Sequence, residues 1–350
     1  MMAVSPDPVA ATCPLPLAET ERVLLGHGSG GQLMAELLAE LGPRMGAPTV
    51  EDAALVTTGT PQVVMSTDAF VVTPRFFPGG DIGSLAVHGT VNDLAMRGAA
   101  PLALSVAFIV EESLPLDELR RVTSSIARAA RACGVPVVTG DTKVVGRGAA
   151  DGLYVTTTGI GVSLPGAEPS ATRGRPGDVV LLSGPIGLHG VTILGTREGL
   201  GFDSELVSDC RPLHRLVAAM IAAAGPAVHV LRDPTRGGLA SALNELAAAS
   251  AVGVVVEEDA VPVPAQVAAA CDLLGLDPLH VANEGCLVAF VAPDRAEEVL
   301  AVMRGLDEGA QATRIGTVVA GHPGRVVMRT LVGSTRVVDM LVGEQLPRIC

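Results

Sequence analysis

The chain has 350 residues, enough for two domains of ordinary size that each bury a core of their own. Its formal net charge of −13 argues against nucleic-acid binding and against docking on an anionic membrane surface. No apolar run in it approaches the roughly 20 residues that span a bilayer. With 48% hydrophobic residues, 41 glycines, 25 prolines, no tryptophan, one tyrosine and six phenylalanines, the core must be built from Ala, Val, Leu and Ile and connected by many loops.

Residues 1–22 are rich in Pro and Ala but lack a basic start followed by an apolar stretch. They read as a disordered extension rather than a signal peptide, and cytoplasmic residence is expected. A helix is predicted from Gly31 to Leu41, with Leu33, Leu37, Leu38 and Leu41 at helical spacing. A strand follows at Gln62–Thr67 and a second helix at Ile82–Ala95. A third helix runs from Pro115 to Cys133, with Leu116, Leu119, Val122, Ile126, Ala129 and Cys133 on one stripe; Pro115 suits its start and Gly134 its end. Val135–Thr139 reads as a buried strand and Leu153–Ser163 as another. The stretch Leu164–Gly177 holds three prolines and three glycines and marks a domain boundary. Beyond it, strands are expected at Asp178–Ser183, Val228–Leu231, Val254–Val256, Leu287–Val291 and Arg314–Val319, and helices at Leu213–Ala224 and Gly238–Ala249. This alternation makes each half an α/β or α+β domain.

The cysteines at 13, 133, 210, 271, 286 and 350 form no Cys-x-x-Cys pair, so neither a zinc site nor a disulfide framework is indicated. Cys133, Cys271 and Cys286 fall inside apolar patterns and read as small core residues. Cys350 is the last residue, on the tail Leu346-Pro347-Arg348-Ile349-Cys350. A core position would also desolvate the terminal carboxylate, so this thiol is expected at a mobile end, where another protein could load it.

Five segments carry candidate chemistry. Gly26-His27-Gly28-Ser29-Gly30-Gly31 precedes a helix and could bring backbone N–H groups to an anion; a plain capped helix start is the even alternative. Asp52, Asp68, Asp93 and Asp141 sit at strand and helix ends. Asp93 shares a helix face with Ile82, Ala86 and Gly89, where a carboxylate is costly unless paired or bound to a cation. Asn92-Asp93 therefore reads as a buried, metal-facing pair, and hard oxygens suit Mg²⁺ shared with phosphates. Thr139-Gly140-Asp141-Thr142-Lys143 reads as a turn after a buried strand, and Lys143 is the only lysine in the chain. A compact point charge there fits a phosphate contact, and a solvated loop lysine is the alternative. Asp233-Pro234-Thr235-Arg236-Gly237-Gly238 is a second strand-to-helix turn able to receive an anion. Glu284, in Asn283-Glu284-Gly285, lies beside an apolar strand, where lost solvation would raise its pKa toward that of a usable base; a turn acid is the alternative.

Together these segments resemble the ATP-binding superfamily of aminoimidazole ribonucleotide synthetase, selenophosphate synthetase and thiamine-monophosphate kinase, and within it the HypE family of hydrogenase-maturation proteins. The resemblance runs from about residue 23 to 350. It rests on His27–Gly31, Ser66-Thr67-Asp68, Phe76-Phe77-Pro78-Gly79-Gly80, Gly89–Asp93, Thr139–Val145, Asp233 with Thr235–Gly238, Asn283–Gly285 and Pro347–Cys350. The cysteine tail separates this family from its sisters.

The resemblance implies a two-domain synthetase-like fold, α/β (α+β). Strands of the N-terminal domain would form a barrel shared in a homodimer, and the C-terminal domain would be an α/β sandwich followed by a flexible tail. The implied partition is 1–22 extension, 23–165 ATP- and magnesium-binding domain, 176–325 C-terminal domain and 326–350 tail. The implied activity is carbamoyl dehydration. The carbamoyltransferase HypF loads Cys350, ATP drives conversion of the thiocarbamate to a thiocyanate, and cyanide passes to iron on a HypC–HypD scaffold for [NiFe]-hydrogenase. Carried over by position, Asp52, Asp68, Asp93 and Asp141 would hold Mg²⁺ and the triphosphate. Thr142 and Lys143 would contact phosphates, with Lys143 and Asp93 also serving catalysis. Glu284 would be the base and Cys350 the carrier. His27 with Gly28, Ser29, Gly30 and Gly31 would close over the nucleotide, which Asn92, Asp233, Arg236 and Gly237 would help bind. The alternatives are a small-molecule kinase or synthetase indifferent to Cys350, and a nucleotide-switched scaffold with a docking tail.

Overall fold

Alternating exposure along the strand β1 (Val63–Phe70) turns Ser66, Asp68 and Phe70 to a covered face and Val63, Met65 and Thr67 to an open one. The computed structural model describes residues 22–23, 37, 40–41, 43–44, 63–200, 206–339 and 349–350. The 26–31 loop, Asp52 and residues 1–21 therefore lie outside the described residues. So does most of the first predicted helix, although its Leu37 and Leu41 are helical and buried.

The hairpin β2 (Phe76–Phe77) and β3 (Gly80–Asp81) leads into the helix α1 (Ile82–Met96). Asp81 caps α1: its Oδ1 accepts from the N–H groups of Gly83 at 2.8 Å and Ser84 at 3.0 Å, and Ser84 Oγ accepts from Asp81 N–H at 3.0 Å. β4 (Ala99–Glu111), α2 (Leu116–Cys133), β5 (Val137–Val145) and β6 (Leu153–Ser163) complete a four-stranded sheet in the order β1-β6-β4-β5. β4 and β5 are parallel and joined through α2; the other neighbours are antiparallel. α2 carries its predicted stripe to the core, with Gly134 at φ +69° ending it. The predicted Thr139–Lys143 turn is instead continuous strand. Gly140 allows this, because a Cβ there would lie 2.3 Å from the Val106 carbonyl oxygen.

Residues 164–178 are irregular. After them, β7 (Val179–Leu182), β8 (Val228–Arg232), β9 (Gly253–Glu257), β10 (Val288–Val291), β11 (Thr313–Val319), β12 (Val326–Arg329) and β13 (Thr335–Val338) form a seven-stranded sheet ordered β13-β12-β9-β11-β7-β10-β8. Helices α3 (Leu188–Glu198), α4 (His214–Ala224), α5 (Gly238–Ser250), α6 (Ala265–Leu274) and α7 (Ala296–Arg304) complete this half. Val180 and Leu182 pack with Leu239, Leu243 and Leu246 of α5, while Val179 and Leu181 pack with Leu216 and Met220 of α4 and with Met303 of α7. Both faces are thus covered, which explains the unbroken apolar runs of β7 and β10. Residues 326–338, expected within the tail, supply the two strands β12 and β13, because β12 pairs in parallel with the apolar β9. No helix among the described residues is long and apolar enough to cross a membrane.

A candidate active site around the C-terminal cysteine

α1 lies close on β1 because Gly89 has no side chain; a Cβ there would sit 2.9 Å from the Phe70 ring. This approach sets Asp93 of α1 beside β1, where Ser66 Oγ donates to Asp93 Oδ2 at 2.6 Å. Burial pushes the Asp93 carboxyl above the usual carboxylate range; Asp68 adds to the shift, while the Ser66 hydrogen bond, Arg232 and Arg236 oppose it. From the seven-stranded sheet, the turn after β8 brings Asp233 to the same place. Loss of solvation, with the Asp93 and Asp68 carboxylates nearby, raises Asp233 from 3.8 to about 7.

Glu284 closes the cluster. It is 3% exposed, and its buried Oε1 has no hydrogen-bond partner among the described residues. Burial first, then the carboxylates of Asp233, Asp209, Asp68 and Asp93, push its pKa well up. Its backbone is held by Asp209, whose Oδ1 accepts from Glu284 N–H at 3.1 Å and whose Oδ2 accepts from Gly285 N–H at 3.0 Å. Asn283 fastens the same turn, with Nδ2 donating to the Pro234 carbonyl at 2.9 Å and Oδ1 accepting from Gly187 N–H at 2.7 Å.

The chain's own end enters this cluster. Ile349 is 4% exposed and belongs to the core under the four-stranded sheet, and Cys350 is half-buried against it. This differs from a terminal cysteine held clear of the core. A terminal carboxylate oxygen accepts from Val71 N–H at 3.2 Å, which offsets its lost hydration. The Cys350 thiol is pushed well above its ordinary value, first by burial and then by the Glu284 carboxylate, while Arg236 opposes the shift.

Asp68, Asp93, Asp233, Arg236, Glu284 and Cys350 therefore lie within electrostatic reach of one another. Asp141 and Lys143 do not join them within one chain. They lie on β5, three strands from β1 or roughly 14 Å across the sheet, and on its open face, paired with each other at 3.9 Å and more than half exposed. Thr142 is buried on the opposite face. Asn92 does not face the cluster as a metal-side partner. Its Oδ1 accepts from Leu213 N–H at 2.7 Å and its Nδ2 donates to the Arg211 carbonyl at 3.1 Å, clamping α1 to the start of α4. Gly237, at φ +75°, makes the turn into α5 after Arg236. Sequence reasoning missed Asp209 and His189; neither belongs to a periodic or glycine-rich motif.

Among the described residues no three His, Cys, Asp or Glu side chains form a metal-holding group by themselves. Mg²⁺ bound with nucleotide takes one or two carboxylates and fills the rest of its shell with phosphate and water, so Asp68 and Asp93 would be enough to hold one. The raised Asp233 has a measurable consequence. Its unfolded-state carboxyl ionises near 3.8 and its folded one near 7. The stabilisation from this protonated carboxyl is full below the lower value and is lost as pH rises through the upper one. The unfolding midpoint of the ligand-free protein should fall between those two pH values, and Asp233→Asn should flatten that fall in a thermal scan; an unchanged slope would refute the assignment.

Comparison with known proteins agrees with this architecture. AIR synthase related protein, N-terminal domain, matches residues 50–163, and AIR synthase related protein, C-terminal domain, matches residues 175–329. Carbamoyl dehydratase HypE of Azotobacter vinelandii is 55% identical over 328 residues, covering 93% of this chain and 96% of the relative. A crystal structure of hydrogenase maturation protein HypE in complex with ATP superposes with a TM-score of 0.89 at 50% identity, covering 93% of this chain and 99% of that one. A crystal structure of a HypE–HypF complex gives a TM-score of 0.78 at 44% identity, covering 89% and 100% of the two chains. The chain belongs to the HypE family of AIR synthase-related proteins.

Proposed function

We propose that this protein dehydrates a carbamoyl group carried on Cys350 to a thiocyanate, using ATP, and so supplies cyanide for the iron of [NiFe]-hydrogenase. The observation that carries this reading is the chain's own terminal cysteine packed against the core, its thiol within electrostatic reach of a buried glutamate with an unpartnered oxygen. The chemistry needs that arrangement. A carbamoyl oxygen leaves poorly as such, and ATP, the second substrate, supplies the phosphoryl group that lets it depart as phosphate. Both N–H protons must also be lost for the carbon–nitrogen triple bond to form; Glu284 is the base placed to take one, and the departing phosphate takes the other. Ile349 and the core around it keep water from the activated carbon, which would otherwise hydrolyse.

Asp68, Asp93 and Asp233 line the place for the phosphates, with Arg236 and the Gly237 turn as the cationic and backbone contacts. Magnesium, when bound, would neutralise phosphate charge there, held by Asp68 and Asp93. Intact-mass measurement of the protein incubated with its carbamoyltransferase, carbamoyl phosphate and ATP tests the reading. The expected course is gain of one carbamoyl group on Cys350 followed by loss of one water. No adduct, with ATP consumed on a free metabolite, would favour a small-molecule kinase or synthetase.

The partners proposed are a HypF-type carbamoyltransferase, a HypC–HypD scaffold and a second copy of the chain. Support for the homodimer comes from the open sheet face, where Met65 is 67%, Val63 50% and Ile109 42% exposed, and from β1 and β5 being outer strands among the described residues. Two such sheets closing into one barrel would cover those side chains. They would also bury the face carrying Asp141 and Lys143, so a role for that pair at phosphates runs through the assembled dimer. Light scattering should show a dimer for the natural chain and a monomer for Met65→Asp combined with Ile109→Asp; a dimeric variant would rule out this interface.

A further inference from the structure

His189 sits at the second position of α3, buried, with no role in the chemistry above. Both its ring nitrogens are engaged. Nε2 lies 2.7 Å from the Ile349 carbonyl oxygen, and Nδ1 lies 2.8 Å from Ser208 Oγ. A carbonyl only accepts, so the proton is on Nε2. Ser208 Oγ already accepts from Cys210 N–H at 3.1 Å and is free to donate its own proton to Nδ1. The Phe77 ring meets the imidazole edge-on, with centroids 5.5 Å apart, and limits its rotation.

This imidazole is mounted on the same supports as the base. Asn283, next to Glu284, takes Gly187 N–H at the start of α3. Ser208 and Asp209 are consecutive, one bonding His189 and the other holding the backbone of Glu284 and Gly285. We infer that His189 is the positioning residue that registers the inserted tail. Its Nε2–H reads the last peptide carbonyl, Val71 N–H reads the terminal carboxylate, and together they set the Cys350 sulfur against Glu284. The site then recognises the final peptide of the chain, with its free carboxylate, rather than any exposed cysteine. Burial holds His189 below its ordinary pKa, which keeps the ring neutral, so that Nδ1 stays an acceptor for Ser208 while Nε2–H donates to the Ile349 carbonyl.

This inference rests on the dehydratase reading only for its catalytic consequence, so the test has two arms. In the first, the full-length protein without nucleotide is treated with iodoacetamide and modification of Cys350 is followed by mass spectrometry. His189→Ala should raise the rate by about five- to tenfold, the worth of one buried hydrogen bond. His189→Gln, which keeps a donor at similar reach, should return most of the protection. Buried Cys133, Cys271 and Cys286 report whether the fold is intact. Appending one alanine after Cys350 leaves the body of the protein unchanged and should expose the thiol similarly. Wild-type modification rates in both His189→Ala and the extended chain would overturn the latch.

In the second arm, single-turnover dehydration of carbamoylated protein should fall in His189→Ala by more than the loss of inserted population, because a tail that inserts without the Nε2–H contact no longer holds its sulfur in register. Loading by the carbamoyltransferase, which needs the tail out, should be undiminished. Undiminished dehydration with an exposed thiol would overturn the positioning role. Protection that follows the His189 variants, in a wild-type protein that never dehydrates, would leave the latch standing and sink the dehydratase reading.

Discussion

Cys350→Ala is expected to remove the carbamoyl adduct completely, taking its yield from one per chain to none, while the protein stays folded and retains ATP binding. The substitution removes one sulfur from a half-buried terminal position, a small packing change. No other thiol among the described residues can stand in. Cys133, Cys210, Cys271 and Cys286 are buried, and burial raises Cys133 to about 12, Cys271 to about 11 and Cys286 to about 11, with Cys210 also well above its ordinary value. The thiolate is the reactive form, and these groups remain protonated at neutral pH. The same physics acts on Cys350 itself. Inserted, its thiol is held protonated by burial and by Glu284. Loading therefore belongs to the withdrawn tail and dehydration to the inserted one, so one residue works in two places. An adduct persisting on Cys350→Ala would move the carrier to another thiol and refute this account.

What could be read from the residues alone depended on how local the cause was. α2 was legible because its stripe, its Pro115 start and its Gly134 end all lie within twenty residues of one another. β6 was legible from its run of Thr, Val and Ile, and the turns holding Asp233 and Glu284 from their glycines. β4 was not predicted. Pro101 argues against a central strand, but here it sits at a register shift against β6, where the ladder does not need its missing N–H. Thr139–Lys143 looked like a turn because Gly140 looked like a hinge. The glycine instead permits close pairing with β4, a contact 34 residues away in sequence. Asp93 stood out as a carboxylate on an apolar face, yet Asn92 beside it serves a backbone clamp that only the packing of α1 on the 211–213 segment creates. His189 and Asp209 act through the tail and through the Glu284 turn, and no spacing in the sequence joins those segments.

Glu284→Gln is expected to slow dehydration by about 10²- to 10⁴-fold, the usual worth of a positioned general base, with carbamoyl loading of Cys350 unchanged. Glutamine keeps the shape and the backbone contacts to Asp209, so the tail still inserts; what disappears is the lone pair that accepts the proton from nitrogen. Burial and four neighbouring carboxylates raise the Glu284 pKa, so its ionised form grows in as pH rises. Below that pKa the logarithm of the single-turnover rate should climb by about one per pH unit, and it should level off above it. The Gln variant should lose this rise along with the rate. Iodoacetamide modification of Cys350 should stay at the wild-type rate in Glu284→Gln, because the tail still inserts and burial, the larger cause, still holds the inserted thiol protonated. A mere loosening of the fold would expose Cys133, Cys271 and Cys286 as well, whereas loss of the base leaves them protected. A Gln variant that dehydrates at the natural rate, with the pH rise intact, would place the base on another group of the cluster, and Asp233, raised to about 7, would be the next to replace.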